Sequence, residues 1–207
     1  MSLSFATSML DQLSGFFTQE ENMQWLFKTA NRAPLLVILP MLVLPGTRIT
    51  HFILHSKVVL ISLSILYSVL LFTLMAAPSS TLPKIDFLSF DSVANGFQHK
   101  PFVLVGWVHY LVTDPLVATL IYYDAISRGI PHVFTSICIL FAFMLCPFGL
   151  ALYIFGRLLL CRVWFEWFIS PIPVSHSLLE IWFGSADFWR NMFCISSVPQ
   201  KTATKIE

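Results

Sequence analysis

Two side chains able to move protons, His109 and Asp114, are set into the otherwise apolar run "GWVHYLVTDPLVATLIYY" that starts at Gly106. An imidazole accepts or donates a proton near neutral pH, and a carboxylic acid held in apolar surroundings is a proton donor. At about 100° per residue the two lie about 140° apart on a regular helix, so spacing alone does not make them a dyad. Val103, Trp107, Tyr110, Asp114 and Ile121 share one face, while His109 groups with Thr113 and Leu116. Pro115 cannot donate to the Leu111 carbonyl and disfavours helical geometry at Asp114, so a kink with a freed acceptor is expected there. A kinked helix at the centre of a bundle would let His109 and Asp114 act as acid and base in one cavity, with Trp107, Tyr110 and Thr113 touching the substrate. The alternative is structural: polar groups on a buried helix that hydrogen-bond to neighbouring helices.

Composition fixes what must position these residues. The chain is 57% hydrophobic and 11% charged, with a mean hydropathy of +0.77. A soluble domain of 207 residues does not cover that much apolar surface with so few charges, which makes the protein an integral membrane protein. A net charge of +1 gives no reason to expect nucleic acid as a partner. Runs of membrane-crossing length cover Val58–Ala77, Phe102–Tyr123 and Val133–Phe155, the last with Pro147 inside it. A weaker run, "WLFKTANRAPLLVILPMLVLPG" from Trp25, crosses only if Lys28 snorkels or faces protein. The expected fold is therefore all-α: a multi-pass four-helix transmembrane bundle over residues 23–160, three spans being the alternative. Residues 1–22 are read as an interfacial segment with Phe5, Met9, Leu13 and Phe16 at helical spacing. Residues 161–207 are read as an aromatic-rich interfacial tail, with Trp164, Phe165, Trp167 and Phe168 as a belt and a capping box at Ser177 and Glu180. Asp114 falls within about 2 Å of the middle of its span, where a carboxylate costs about 2.5–3.5 kcal/mol to insert.

Basic residues set the expected orientation, with Lys28, Arg32, Lys84, Lys100, Arg157 and Arg162 on one side and Arg48, Lys57 and Arg128 on the other. Asp124 and Arg128 read as a surface pair at a helix end, Tyr122 and Tyr123 as belt residues, and Arg157 as the headgroup stop of the last span. The connector Pro78–Lys100 has the Pro, Ser and Asp content of an extramembrane loop. "HFILH" places His51 and His55 one turn apart, with Asp124 and His132 on the same side, but one such box is a thin basis for metal and none is expected. Cys138, Cys146, Cys161 and Cys194 form no C-x-x-C pair and read as small buried hydrophobes. The N-terminus has neither the basic start of a secretory signal nor the Arg-rich character of a transit peptide.

The segment with Trp107, His109, Leu111 and Asp114, followed by Asp124 and by "SICILFAFMLCPFGLALYIFGR" with its Pro147-x-Gly149 turn, resembles the abscisic-acid-deficient-four family. The likeness extends more loosely over Trp25–Arg157, including "LFKTANRAPLLVILP", Thr47, Ser56 and Tyr67. Where the family continues Asp-Leu-Phe, Pro115 follows Asp114 here, and Thr119 stands near a position the family commonly fills with a basic residue. The resemblance implies a plastid membrane setting and an isomerase that turns a violaxanthin-like epoxy-carotenoid into an allenic, neoxanthin-like product. On that reading a protonated Asp114 opens the epoxide and neutral His109 takes a proton from the polyene, without redox equivalents or a cofactor. The partners expected are membrane lipid, a hydrophobic isoprenoid or carotenoid-like ligand, and further copies of the chain. The competing reading is a non-catalytic membrane protein that binds a lipid, a polyene or a protein.

Overall fold

A computed structural model describes residues 19–76 and 83–161, together with 12, 13 and 15–17. The capping box, the aromatic belt after residue 161, and Phe5 and Met9 of the N-terminal stripe lie outside these residues. In chain order the helices are α1 (Glu20–Arg32), α2 (Leu35–Val43), α3 (Arg48–Ser56), α4 (Val58–Ala76), α5 (Phe90–Gly96), α6 (Lys100–Arg128), α7 (His132–Met144) and α8 (Cys146–Cys161). Among the described residues, three stretches are long and apolar enough to cross a membrane: Glu20–Val43, Arg48–Ala76 and Lys100–Arg128.

Local chemistry explains each break. Pro34 has no N–H to continue α1, and it becomes the N-cap of α2. The turn after α2 closes on Thr50, whose fully buried hydroxyl lies 2.6 Å from the Leu44 carbonyl and 3.1 Å from that of Pro40. It supplies a donor that the last carbonyls of a helix otherwise lack. Thr47 caps α3 through the Thr50 N–H, and Lys57 alone, at φ 52°, joins α3 to α4. α6 opens with Pro101 in its first turn and ends at Gly129, whose φ of 67° is the left-handed stop that glycine adopts freely.

α6 is the axis of the molecule, and half of its apolar window is buried, against 17% for Arg48–Ala76. Its first half packs Leu104, Val105, Val108 and Leu111 against Leu26 and Ala30 of α1 and Leu63 and Leu70 of α4. Its second half packs Ala118, Ile121, Tyr122 and Ala125 against Val37, Ile38 and Met41 of α2 and against Cys138, Ile139 and Tyr153 of α7 and α8. The helix is continuous through Pro115, so no break in it brings His109 round to Asp114.

The run Val133–Phe155, expected as a single span, is two helices. α7 has 13 residues and α8 has 16, about 20 and 24 Å of rise, each short of the roughly 30 Å hydrocarbon thickness. They fold back on one another at Leu145. Gly149 lies against the Ala142 backbone near the turn, where a Cβ would collide, and Gly156 lies against the Phe134 ring at the open end. Among the described residues there are thus three long apolar stretches, the number of the alternative expectation, and an antiparallel helical hairpin where the last span was expected. The single apolar run is split because Pro147 has no N–H to bridge the turn and Gly149 admits the close return. The hairpin also moves Arg157, which sits beside Arg128 and not at the end marked by the Lys100–Glu20 ion pair (2.6 Å).

Candidate functional site

A cavity of about 550 Å³ opens beside the first half of α6, within the size range of small-molecule sites. α4 contributes Tyr67, Leu74 and Met75 to it, and α6 contributes Phe102, Gly106, His109 and Tyr110. The connector closes the outer side with Ile85, Phe87 and Phe97. Gly106 makes the room: a Cβ there would come within 3.0 Å of the Phe97 ring. The His109 imidazole lies against the Tyr67 phenol ring with centroids 5.3 Å apart, and Tyr110 meets it edge-on at 6.1 Å. An imidazole, two phenols and the Lys84 ammonium at the rim are thus the polar groups of a chamber otherwise lined by aliphatic and aromatic side chains.

A shallower trough of about 610 Å³ runs along α4 from Lys57 to Thr73. Its hydroxyls on Ser68 and Thr73 already donate to the carbonyls of Ser64 and Val69 one turn earlier. With so little polarity left for a ligand, it reads as lipid-facing surface.

Asp114 points elsewhere. It is 8% exposed, accepts a bond from the Thr113 hydroxyl (3.3 Å) and faces the Cys146 thiol at the tip of the hairpin. Cys146 is the first residue of α8, so this contact ties α6 to the tip of the hairpin. Thr113 also lies within 3.1 Å of the His109 carbonyl, linking the two neighbourhoods through the backbone. Trp107 is on a third face, where its indole N–H donates to Asn31 Oδ1 (2.8 Å) and its ring lies 5.5 Å from that of Phe27. Of the residues expected to form one site, the structure brings together His109 and Tyr110, adds Tyr67, and leaves Asp114 with Thr113 and Trp107 on separate interfaces.

The second half of α6 carries a feature that spacing did not reveal. Asp124, expected at the surface, is 3% exposed. Its Oδ1 accepts from Arg128 Nε (3.0 Å), and its Oδ2 accepts from the Tyr153 hydroxyl (2.7 Å) and from Arg157 Nη1 (3.0 Å). Arg157 is 1% exposed and so does not end a span at the headgroups. Tyr122, expected in the belt, is buried and accepts the Gly46 N–H at 2.9 Å, and His132 reaches the Leu42 carbonyl at 3.3 Å. The sequence signal for this cluster was a carboxylate and an arginine both set in apolar surroundings, which calls for mutual neutralisation. His51 and His55 stand 6.4 Å apart between ring centroids, and His51 lies against Tyr123. Among the described residues no group of three or more His, Cys, Asp or Glu side chains is arranged to hold a metal ion.

The family model described as ABA DEFICIENT 4-like (ABA4-like) matches residues 25–153, well over half of the chain. The chain belongs to the ABA4-like family. The matched region begins in α1, takes in most of the first long apolar stretch, the other two and the His109 cavity, and ends at Tyr153 of the buried cluster, so Arg157 lies just beyond it. No curated protein and no solved structure matches this ABA4-like chain.

Proposed function

We propose that this ABA4-like protein is a multi-pass integral membrane protein that takes a hydrophobic isoprenoid-type ligand into the Tyr67–His109 cavity and isomerises an epoxide-bearing polyene there by acid/base chemistry. The observation that carries this reading is the 5.3 Å contact of the His109 and Tyr67 rings inside an aromatic cavity large enough for a ring end group. The topology proposed with it is three crossings, with the α7–α8 hairpin entering and leaving at the Arg128 end.

The proton balance closes within the pair. Neutral His109 takes a proton from the polyene, the electron pair forms the new carbon–carbon π bond, and the epoxide carbon–oxygen bond breaks. The Tyr67 phenol protonates the departing oxygen. The proton now on His109 returns to Tyr67, so no oxidant, reductant or added proton is consumed. Asp114 serves this reading as a positioning residue that holds the hairpin tip against α6, below the cavity. Separation of His109 from Asp114 also supports the second reading, a binding protein without chemistry.

Expression in cells that make a violaxanthin-type epoxide tests both. An isomer of unchanged mass that disappears in His109→Gln and Tyr67→Phe supports the isomerase. Unaltered pigment that co-purifies with the wild-type chain, and is lost on filling the cavity with Gly106→Phe, supports the binding protein instead.

A further inference from the structure

The outer wall of the His109 cavity has an unusual apex. Ile85 packs on Gly96, and Phe97 lies over Gly106, which fixes the wall along the first two turns of α6. Between these anchors the turn Asp86–Phe90 is tied by its own polar groups. The Leu88 N–H donates to Asp86 Oδ1 and the Asp86 N–H donates to Ser92 Oγ, both at 2.9 Å, and Ser89 caps α5. Those bonds satisfy the turn internally and aim its apolar side chains outward: Phe87, Leu88 and Phe90 are 75%, 98% and 84% exposed. Three large apolar side chains within four positions make a patch that water-facing loops avoid.

The patch continues a surface already assigned to lipid. Met75, an exposed residue of α4, lines the same cavity as Phe87, and Phe72 extends the apolar face down α4. Lys84, Asp86 and Asp91 bracket the tip without interrupting it, as side chains at the level of the headgroups do. We propose that the Asp86–Phe90 turn is inserted into the bilayer interface at the Lys100 end, which makes the cavity wall a lipid-immersed cover past which a hydrophobic ligand reaches His109 without crossing water. The occupant of this surface is therefore the headgroup and upper acyl region of the bilayer, not a protein. The proposal rests on the crossing of the three long stretches and is independent of any chemistry in the cavity.

The test uses the full chain in phosphatidylcholine nanodiscs with Leu88→Trp or Phe90→Trp, reading the emission added over wild type. Both positions are exposed, so neither substitution disturbs packing. The expected result is blue-shifted added emission that is quenched by brominated acyl chains and unaffected by aqueous iodide. Quenching by iodide without quenching by brominated lipid puts the turn in water and overturns the proposal. Protection from both quenchers, with the mass of two chains per disc, overturns it in favour of a second copy covering the patch.

Discussion

The first half of α6 turns His109 and Tyr110 into a roomy aromatic chamber, whereas the second half buries Asp124 against Arg128, Tyr153 and Arg157. Both regions put polar groups where the chain is otherwise apolar. In the second half both oxygens of the Asp124 carboxylate are met by short contacts, from Arg128 on one side and from Tyr153 and Arg157 on the other. In the first half the polar groups meet as rings, with space between them. A carboxylate held this way specifies one arrangement of helices, because an intramembrane charge without its partner is costly. A loosely furnished chamber can accept something from outside. Under the proposed function, holding falls to one half and ligand handling to the other.

The largest expected effect is on the holding half. Arg157→Leu leaves the Asp124 carboxylate short of a buried partner and should cost about 3–5 kcal/mol, the usual range for breaking a buried pair. The measurement is thermal unfolding in detergent. Combining Arg157→Leu with Asp124→Leu should cost less than the sum of the two, since the second change removes the stranded charge. Additive losses would show that the 3.0 Å contact between Arg157 and Asp124 carries no coupling energy, and the comparison would fail.

The chamber should respond in the opposite way. His109→Gln keeps size and polarity at an exposed position, so the unfolding temperature should stay near wild type. Isomer formation should fall by about 10² or more as the proton acceptor is lost. A stability loss on the scale of the Arg157 variant would place His109 with the holding residues instead.

Gly149→Ala sharpens the boundary between the halves. Its methyl group would collide with the Ala142 backbone at the hairpin turn, and overpacking of this kind costs about 1–3 kcal/mol. Because the hairpin tip faces Asp114 and not the cavity, ligand retention should survive at temperatures where the variant is folded.

How much of this was readable in advance follows from the physics each feature depends on. Val58 to Ala76 was legible because an uncharged run between Lys57 and the prolines of the connector has one stable state in lipid. The helical class and the centrality of the His109–Asp114 segment were legible for the same reason. The hairpin was not, because hydropathy counts apolar residues without regard to direction, and α7 and α8 are as apolar as a span. Pro147 and Gly149 were visible, but only the contact with Ala142 shows that the chain reverses. Asp124 and Arg157 are 33 residues apart, and nothing local reports their contact. Misplacing Arg157 then misassigned it in the charge count. Tyr67 escaped notice as part of a site because a phenol in an apolar run looks like any other aromatic until the imidazole beside it is seen.

The smallest effect concerns Trp107, whose position in the sequence suggested substrate contact. Its indole instead joins α6 to α1, through the 2.8 Å bond to Asn31 and the tilted contact with Phe27. Trp107→Phe keeps an aromatic ring for Phe27 and removes only the N–H donor. Asn31 is half-buried and can turn its amide toward other donors, so the cost should be about 0.5–1.5 kcal/mol, the net value of one hydrogen bond. Unfolding in detergent should register that small loss, and Asn31→Ala in the Trp107→Phe background should add little beyond it. The ligand profile is the decisive readout. Because Trp107 shares no wall with His109, the variant should retain the same pigment and the same product ratio as wild type. A changed ratio with unchanged stability would mean that the ligand reaches across α6 to the α1 face, and the division of labour along the helix would have to be redrawn around Trp107.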